Sequence, residues 1–393
     1  MTSTGRTSSG GQAVLPGHGW NRTVAGGQPS LTVGAEEELL LIDPVSRAVS
    51  GQAETVVAEA AGVLGDRVGP ELTRYQVEVR TEPHTSLAEF AEQVRSTRQA
   101  VVRAAARHGL RVMSSGSPVL GQVFPPPLTA GPRYTLSAEM FGALDDEQCA
   151  CACHIHVGVP DLATALQISN RLRPWIPALI ALTGNSPFWA GRDTGYASWR
   201  TTTWGRWPVA GPPPFFESLS HFEDLVAGFI ATGSVMDRGG LYWDIRPSHH
   251  VPTLEFRVAD AMATPGETVL LAGLIRAMAA TALQATTAGD PVSQPGPEVL
   301  RAACWRAAKD GLAGQGIDLT TGQLSPAVNQ IDQLLSWVQP ALHDHGDTEL
   351  VNSLWARLRS TGSGADRQRT AYRRRYRLTD VVDHLISTTD ASH

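Results

Sequence analysis

The sequence of 393 residues is almost without lysine: Lys309 is the only one, and every other basic side chain is arginine or histidine. Lys309 follows Ala308 with no G-x-x-x-x-G-K-[ST] run around it, which excludes a P-loop, and the V-A-I-K strand of protein kinases is missing too. A Schiff-base enzyme would have to rely on this one lysine, in a helix-like run of arginines and alanines. G-x-S-x-G and H-E-x-x-H are absent, and no G-x-G-x-x-G joins a strand to a helix. Cysteine is scarce: four do not make a disulfide framework in a chain of this size, and Cys149, Cys151 and Cys153 alternate too closely to bridge one another. This usage fits a reducing compartment, and a cytoplasmic protein is expected. Positive charge is in deficit, with a net charge of −6, which argues against a nucleic-acid surface; the basic run Tyr372–Arg377 is local. No stretch reaches the roughly 18–20 uninterrupted apolar residues of a membrane helix. The nearest approach, Thr268–Ala285, carries Arg276. Any chemistry must therefore rest on carboxylates, histidines and arginines.

What is present describes a globular protein, since 42% hydrophobic residues suffice for a substantial core. Residues 1–30 are rich in Ser, Thr and Gly and lack the apolar centre of a signal peptide, so they read as a disordered tail. Strands are expected at Ser30–Ile42, Leu72–Thr81, Leu110–Ser114, Gln148–Val159 and Thr253–Ala259. Ser86-Leu87-Ala88-Glu89 is a capping box that opens a long helix closed by Gly109. A helix over Asp161–Leu182 should bend or break at Pro174 and Pro177. Asn185–Phe216 reads as a long loop with four tryptophans, and the C-terminal half is nearly all helical. Strands and helices interleave without a βαβ rhythm, which predicts an α+β fold: an antiparallel sheet with helices on one side.

The polar faces of those strands carry the functional signal. Alternation puts Glu36 and Glu38 on one face of the first strand, and Glu78 on the polar face of the second, with Glu71 just ahead of it. His154 and His156 share a face opposite Cys151 and Cys153, and Glu255 and Arg257 share a face of the last strand. Solvent faces of an ordinary sheet explain any one of these strands. Together they are less comfortable, because glutamates clustered on neighbouring strands repel unless a cation is bound. Carboxylate-rich sites suit hard ions such as Mg²⁺ or Mn²⁺. The Cys-x-Cys-His-x-His run has zinc-like composition, but its ligands point alternately to opposite faces, which disfavours one tetrahedral site.

Several long motifs also occur in order: Gly34-Ala35-Glu36-Glu37-Glu38-Leu39-Leu40-Leu41-Ile42-Asp43-Pro44, Gln76-Val77-Glu78-Val79-Arg80-Thr81, Cys151 to Asp161, Asn185 to Trp189, Gly191 to Arg200, Trp243 to Ser248, Thr253 to Asp260 and Gly364 to Arg369. In these the chain resembles the bacterial carboxylate–amine ligases related to glutamate–cysteine ligase type 2. The resemblance spans about 31–388, read as a single catalytic domain between the N-terminal tail and a short tail at 389–393. It implies a glutamine-synthetase-like fold, a curved antiparallel β-sheet funnel with helices packed on its outer side. It implies an ATP- and Mg²⁺- (or Mn²⁺-) dependent ligase that forms a γ-glutamyl-type amide through an acyl phosphate, from glutamate and cysteine or another amine. It further implies that Glu36, Glu38, Glu71, Glu78, His156 and Glu255 hold metal ions, and that Arg257, beside Glu255, is directed at the transferring phosphoryl group. A homodimer acting on small molecules, with no nucleic acid or membrane partner, belongs to the same expectation.

Arg192, Arg200 and Arg246 are candidates to bind a substrate carboxylate or ATP phosphates, against the plain alternative of ion pairing. Trp199 and Trp243 can wall a funnel, stack on adenine or simply pack in a core. Arg367 and Arg369 can reach the nucleotide or lie on an exposed basic helix. His154 shares the face of His156 but matches no ligand position, which leaves it a supporting role. Ala35 stands where a bulkier aliphatic residue is usual, and Pro83-His84-Thr85 lacks a cysteine often found there. Two other functions remain open from the residues: a metal-dependent hydrolase of an amide or phosphate ester on the same Glu/His shell, and a nucleotide-binding scaffold without turnover.

Overall fold

The computed structural model describes residues 31–390. The expected N-terminal tail, 1–30, lies outside the described residues, as does 391–393. In chain order the first elements are β1 (Val33–Ile42), α1 (Ala53–Leu64), β2 (Val68–Pro70), β3 (Gln76–Arg80), α2 (Leu87–Arg107) and β4 (Arg111–Met113). Next come α3 (Pro132–Phe141), α4 (Ala143–Asp146), β5 (Ala152–Gly158), α5 (Leu162–Leu172) and α6 (Ile176–Thr183). The tryptophan-rich stretch forms β6 (Phe188–Trp189), β7 (Arg192–Asp193), α7 (Trp199–Trp204) and β8 (Ala210–Gly211), followed by α8 (Leu219–Ala231), β9 (Tyr242–Trp243), β10 (Ile245–Pro247) and β11 (Thr253–Asp260). The C-terminal part contains α9 (Pro265–Ala288), α10 (Pro297–Asp310), β12 (Gln315–Ile317), β13 (Leu324–Pro326), α11 (Ala327–Asp344), α12 (Thr348–Thr361), α13 (Gly364–Arg375) and α14 (Leu378–Asp390). The last helix thus runs two residues into the segment read as a tail.

The main sheet is antiparallel, in the order β10-β11-β5-β1-β3-β2, and β4 pairs with the Leu40–Ile42 end of β1. Alternation decides what each face does. Val33, Ala35, Cys153, Ile155, Val157, Leu254, Phe256 and Val258 point into one large core with α5, α6, α9 and α11, while Leu39, Leu41, Val77 and Val79 meet α1 and α2. The opposite face carries the glutamates and histidines, so the sheet has an apolar, helix-covered back and a polar front, as the strand patterns predict.

Local chemistry sets the helix boundaries. Ser86 Oγ accepts from Glu89 N at 3.3 Å and starts α2, although only this half of the expected capping box is made. Asp161 caps α5, which stops at Leu172; Pro174 lies in a 3₁₀ turn before α6 begins, because a proline ring clashes with the preceding helical turn. Among the described helices, α9 alone is long and apolar enough to cross a membrane. It is the central core helix, and its Arg276 is fully buried against Asp347 and the Thr85 carbonyl.

The segment after α6 is anchored by the end of β11. Asp260 accepts hydrogen bonds from Asn185 N (2.8 Å), Ser186 Oγ (2.7 Å) and Ser198 Oγ (2.7 Å). Gly116 packs so closely on this carboxylate that a Cβ there would lie 2.6 Å from Asp260 Cγ, so only glycine fits. Ser198 also caps α7, which fixes the direction in which Arg200 and Trp204 project.

Candidate active site

Strand register assembles the polar front. Glu36 stands opposite Arg80 on one side and His154 on the other, Glu38 stands opposite Glu78, and Glu255 stands opposite both His156 and Arg246. These strands wall a cavity of about 400 Å³, lined by Glu36, Glu38, Glu71, Glu78, Arg80, His154 and Arg257 and closed by Tyr134, Asp145, Arg200, Trp204 and Tyr242.

At one end, ligand atoms of Glu36, His156 and Glu255 all lie within 4.8 Å of one another. The Nδ1 of His156 is tied to Thr253 Oγ1 at 2.8 Å, and its buried Nε2 has no hydrogen-bond partner and lies 3.6 Å from Glu36 Oε1. A histidine whose Nδ1 is held in this way presents Nε2 as a ligand atom. Glu255 is gripped by Arg246 through two contacts, 2.8 and 3.1 Å, and pairs with Arg257 as well. Burial alone would raise its carboxyl, but Arg257 and Arg246 hold it far below the usual range. Burial opposes ionisation of Glu36 too, and the hydrogen bond to His154 together with the nearby His156 ring overcomes it and holds the group well below its usual value. His154, 3.2 Å from Glu36, is pushed down to about 4 by burial and by Arg257.

At the other end, Glu38, Glu71 and Glu78 are short of positive charge. Burial and the neighbouring Glu71 push Glu38 up to about 8. Burial and then Glu36 raise Glu78 well above its usual value, and burial raises Glu71. Arg80 pairs with Glu78 but is itself 45% exposed, so it offsets little of this. Carboxylate oxygens gathered beside the unpartnered Nε2 atoms of His154 and His156 fit a hard divalent cation. Cys153 points into the helix-side core, on the opposite face from the histidines, as expected from the alternation of the strand; Cys151, which precedes β5, departs from that expectation, clustering with Leu40 and Ile42 and lying 3.3 Å from Gln76 Nε2.

The remaining predicted residues divide. Arg200 is buried at the cavity wall and donates to the Arg257 carbonyl at 2.9 Å. Arg246 sits behind Glu255 and also donates to the carbonyls of Gly239 (2.7 Å) and Leu241 (2.9 Å). Trp243 does not face the cavity: its ring packs in an apolar cluster, 5.4 Å from Phe216 and 6.2 Å from Phe229 between centroids. Arg192 lines a second cavity of about 310 Å³ with Trp189, Trp199 and Arg206. Arg367 pairs with Glu267, and Arg369 pairs with Asp193 and donates to the Tyr196 carbonyl, all away from the carboxylates. Sequence reasoning passed over Arg80, although its alternation with Glu78 was visible, and it passed over Tyr134, Ser137 and Asp145, whose short helices have no marked period.

Similar proteins are known both by sequence and by fold. Residues 32–384 match the model of glutamate–cysteine ligase family 2. A protein of Saccharopolyspora erythraea with the provisional name glutamate–cysteine ligase 2-1 is 46% identical over 361 residues, covering 91% of this chain and 95% of that protein. A namesake from Nocardia farcinica is 43% identical over 359 residues, covering 91% and 93%. Among solved structures, glutamate–cysteine ligase of Francisella tularensis in complex with AMP superposes with a TM-score of 0.67 at 10% identity, covering 91% of this chain and 88% of that one. A bifunctional glutathione synthetase from Pasteurella multocida gives 0.67 at 13% identity, covering 92% of this chain and 51% of that one. The fold is therefore the glutamine-synthetase-like α+β fold of these ligases.

Proposed function

The chain belongs to glutamate–cysteine ligase family 2, a family of ATP-dependent carbon–nitrogen ligases, and from that premise we propose that it joins the side-chain carboxylate of glutamate or a similar acid to an amine such as cysteine. The observation that carries this reading is the cavity lined by Glu36, Glu38, Glu71, Glu78 and Arg257, in which Glu36 also belongs to a metal-competent group with His156 and Glu255.

Glu36, His156 and Glu255, with Glu38, Glu71 and Glu78, would hold Mg²⁺ or Mn²⁺, which when bound neutralises phosphate charge. Arg257 is aimed at the transferring phosphoryl group: Glu255 fixes one end of its guanidinium, while its buried Nε has no partner in the protein. Arg200 holds the Arg257 backbone, and Arg246 braces Glu255 from behind. A carboxylate oxygen of the acid forms a bond to the γ-phosphorus as the bond to the bridging oxygen breaks and ADP leaves. The amine nitrogen then attacks the acyl carbon, inorganic phosphate departs with the electrons of the C–O bond, and the amine gives up a proton. Such transfer depends on positioning and charge stabilisation, so a site without lysine suffices. The same reading puts the protein in the cytoplasm as a homodimer, the latter testable by its mass in solution.

The test is ADP release by the purified protein with Mg·ATP and glutamate, scanned across a panel of amines, with Glu255→Gln as control. Amine-dependent turnover that vanishes in the variant is expected. Metal-dependent hydrolysis of an amide or phosphate ester without ATP would overturn the reading, and ATP binding without release of ADP under any acid–amine pair would leave a scaffold.

A further inference from the structure

The Arg257 guanidinium is fixed by an ion pair at one nitrogen only. Glu255 pairs with that nitrogen, His154 Nδ1 lies 3.5 Å from it, and the buried Nε has no partner. An aromatic ring faces the group as well: the Arg257 guanidinium carbon lies over Trp204, 5.9 Å from the ring centroid, and that of Arg200 lies over the same ring at 5.8 Å. Arg200 is 3% exposed and forms no ion pair among the described residues; its guanidinium donates to the carbonyls of Arg257 (2.9 Å) and Val258 (3.5 Å). Two like charges withdrawn from water and packed against one ring repel unless something offsets them. The negative face of an indole does so better than a phenol or a phenyl ring, and its attraction for a cation grows as the pair is desolvated.

Trp204 is itself held from several sides. It stands four residues after Arg200, so the two share a face of α7, and Ser198, which caps that helix, is bound to Asp260 at the end of β11. The indole Nε1 donates to the Tyr242 carbonyl at 3.4 Å, and the rings of Tyr242 and Trp207 lie 4.8 and 6.1 Å from it between centroids. A ring fixed by its helix, by a hydrogen bond and by two neighbours offers the guanidinium a rigid seat at the cavity wall. That matters because a displacement of about 1 Å at a reacting group can cost about 100-fold in rate. We propose that Trp204 is a positioning residue: the face of its ring holds the Arg257 guanidinium in line with the transferring phosphoryl group, with Arg200 as a second cation on the same ring. The proposal rests on the ligase reading.

The experiment replaces Trp204 in the full-length protein with tryptophans carrying one, two and three ring fluorines, introduced at that position alone by nonsense suppression. Fluorine leaves the shape of the indole nearly unchanged and withdraws negative charge from its face, so a purely structural role would not respond to it. Calorimetric titration with Mg²⁺ present compares ADP alone with ADP plus aluminium fluoride, a mimic of the phosphoryl group in transfer. Wild type should bind the fluoride complex more tightly than ADP, and that preference should shrink with each fluorine, by about tenfold at the third, while the affinity for ADP alone stays the same. In turnover the same series should lower kcat for amine-dependent ADP release in step, with KM for ATP and for glutamate unchanged. Trp204→Phe should fall within the series, and Trp204→Leu, which keeps bulk without a π face, should lose about 100-fold in kcat; the fluorinated proteins cover the case in which Trp204→Leu does not fold. A preference that is flat across the fluorine series overturns the proposal, as does a wild type that binds both probes equally or a folded Trp204→Leu with wild-type kcat. Failure of the ligase reading shows separately, as absent ADP release under every acid–amine pair.

Discussion

Glu36, Glu37 and Glu38 are consecutive on β1 and have identical side chains, yet the two faces of the sheet treat them oppositely. Glu37 turns to the helix layer, where Arg98 of α2 meets it with two hydrogen bonds, 2.9 and 2.6 Å, and Thr268 of α9 adds a third at 2.6 Å. Arg98 in turn donates to the Met262 carbonyl at 2.8 Å. Glu36 and Glu38 turn to the cavity, where carboxylates outnumber cations and Glu38 is pushed up to about 8. Where a buried charge serves only the fold, its partners come from the protein; where charges are left short of partners in a cavity, the missing partner comes from outside. Arg276 with Asp347 in the core of α9 belongs to the first kind.

Breaking the satisfied side should give the largest effect. Glu37→Gln strands Arg98, 1% exposed, without its counter-charge, and chemical unfolding should show a loss of about 3–5 kcal/mol. Glu78→Gln on the other face should do the reverse. Removing one of several crowded negative charges should leave the metal-free protein at least as stable as wild type, because Arg80 remains solvated. Amine-dependent ADP release should fall at least about 100-fold, the upper end of what changes around a metal ligand cost. A Glu78→Gln protein that is clearly destabilised without metal would remove the contrast between the faces.

The comparison is sharpened by pH. Glu38, Glu71 and Glu78 have raised folded-state values, Asp244 is raised to about 7 by burial, and His156 is raised by Glu36 against the effect of burial. Above pH 6.5 the folded state therefore binds more protons than the unfolded chain, and the stability of the metal-free protein falls as pH rises toward 8. His154, held near 4, acts in the opposite sense only below about 6.5, where the unfolded histidine is protonated. One excess proton across that window amounts to about 2 kcal/mol. Thermal denaturation with and without Mn²⁺ should show stabilisation by the ion that is larger at pH 8 than at pH 6.5; stabilisation independent of pH would mean the ion does not displace those protons.

The division between faces was legible in the sequence because period-two alternation is local: it put Glu36, Glu38, Glu78, His154, His156, Glu255 and Arg257 on polar faces without any knowledge of the pairing, whereas the choice of His156 over His154 came from the family resemblance. Alternation equally predicted the helix-covered back, since the apolar positions of β1, β3, β5 and β11 alternate with the polar ones. What alternation does not encode is which long-range partner meets a side chain. Trp243 lies beside Asp244 and Arg246 in a motif, yet its ring turns to Phe216 and Phe229. Arg367 and Arg369 likewise sit in a motif but pair with Glu267 and Asp193 on distant elements. The Asp260 hub draws Asn185, Ser186 and Ser198 from across the chain, and α3 and α4 are too short and too weakly amphipathic to announce that Ser137 and Asp145 reach the cavity.

The smallest expected effect tests how the polar front is prepared for an ion. Thr253 opens β11 and contributes one hydroxyl, 2.8 Å from His156 Nδ1. Thr253→Val keeps the β-branched shape the strand favours and removes only that contact, so the ring loses what sets its orientation and tautomer. Mn²⁺ affinity should fall about tenfold, in the range typical of such supporting bonds, with Thr253→Ser restoring it. The side chain is only partly buried, so unfolding of the metal-free protein should shift by no more than about 0.5 kcal/mol. If Thr253→Val binds Mn²⁺ like wild type, the unpartnered Nε2 is not a ligand atom, and the ion would then be held by the carboxylates alone.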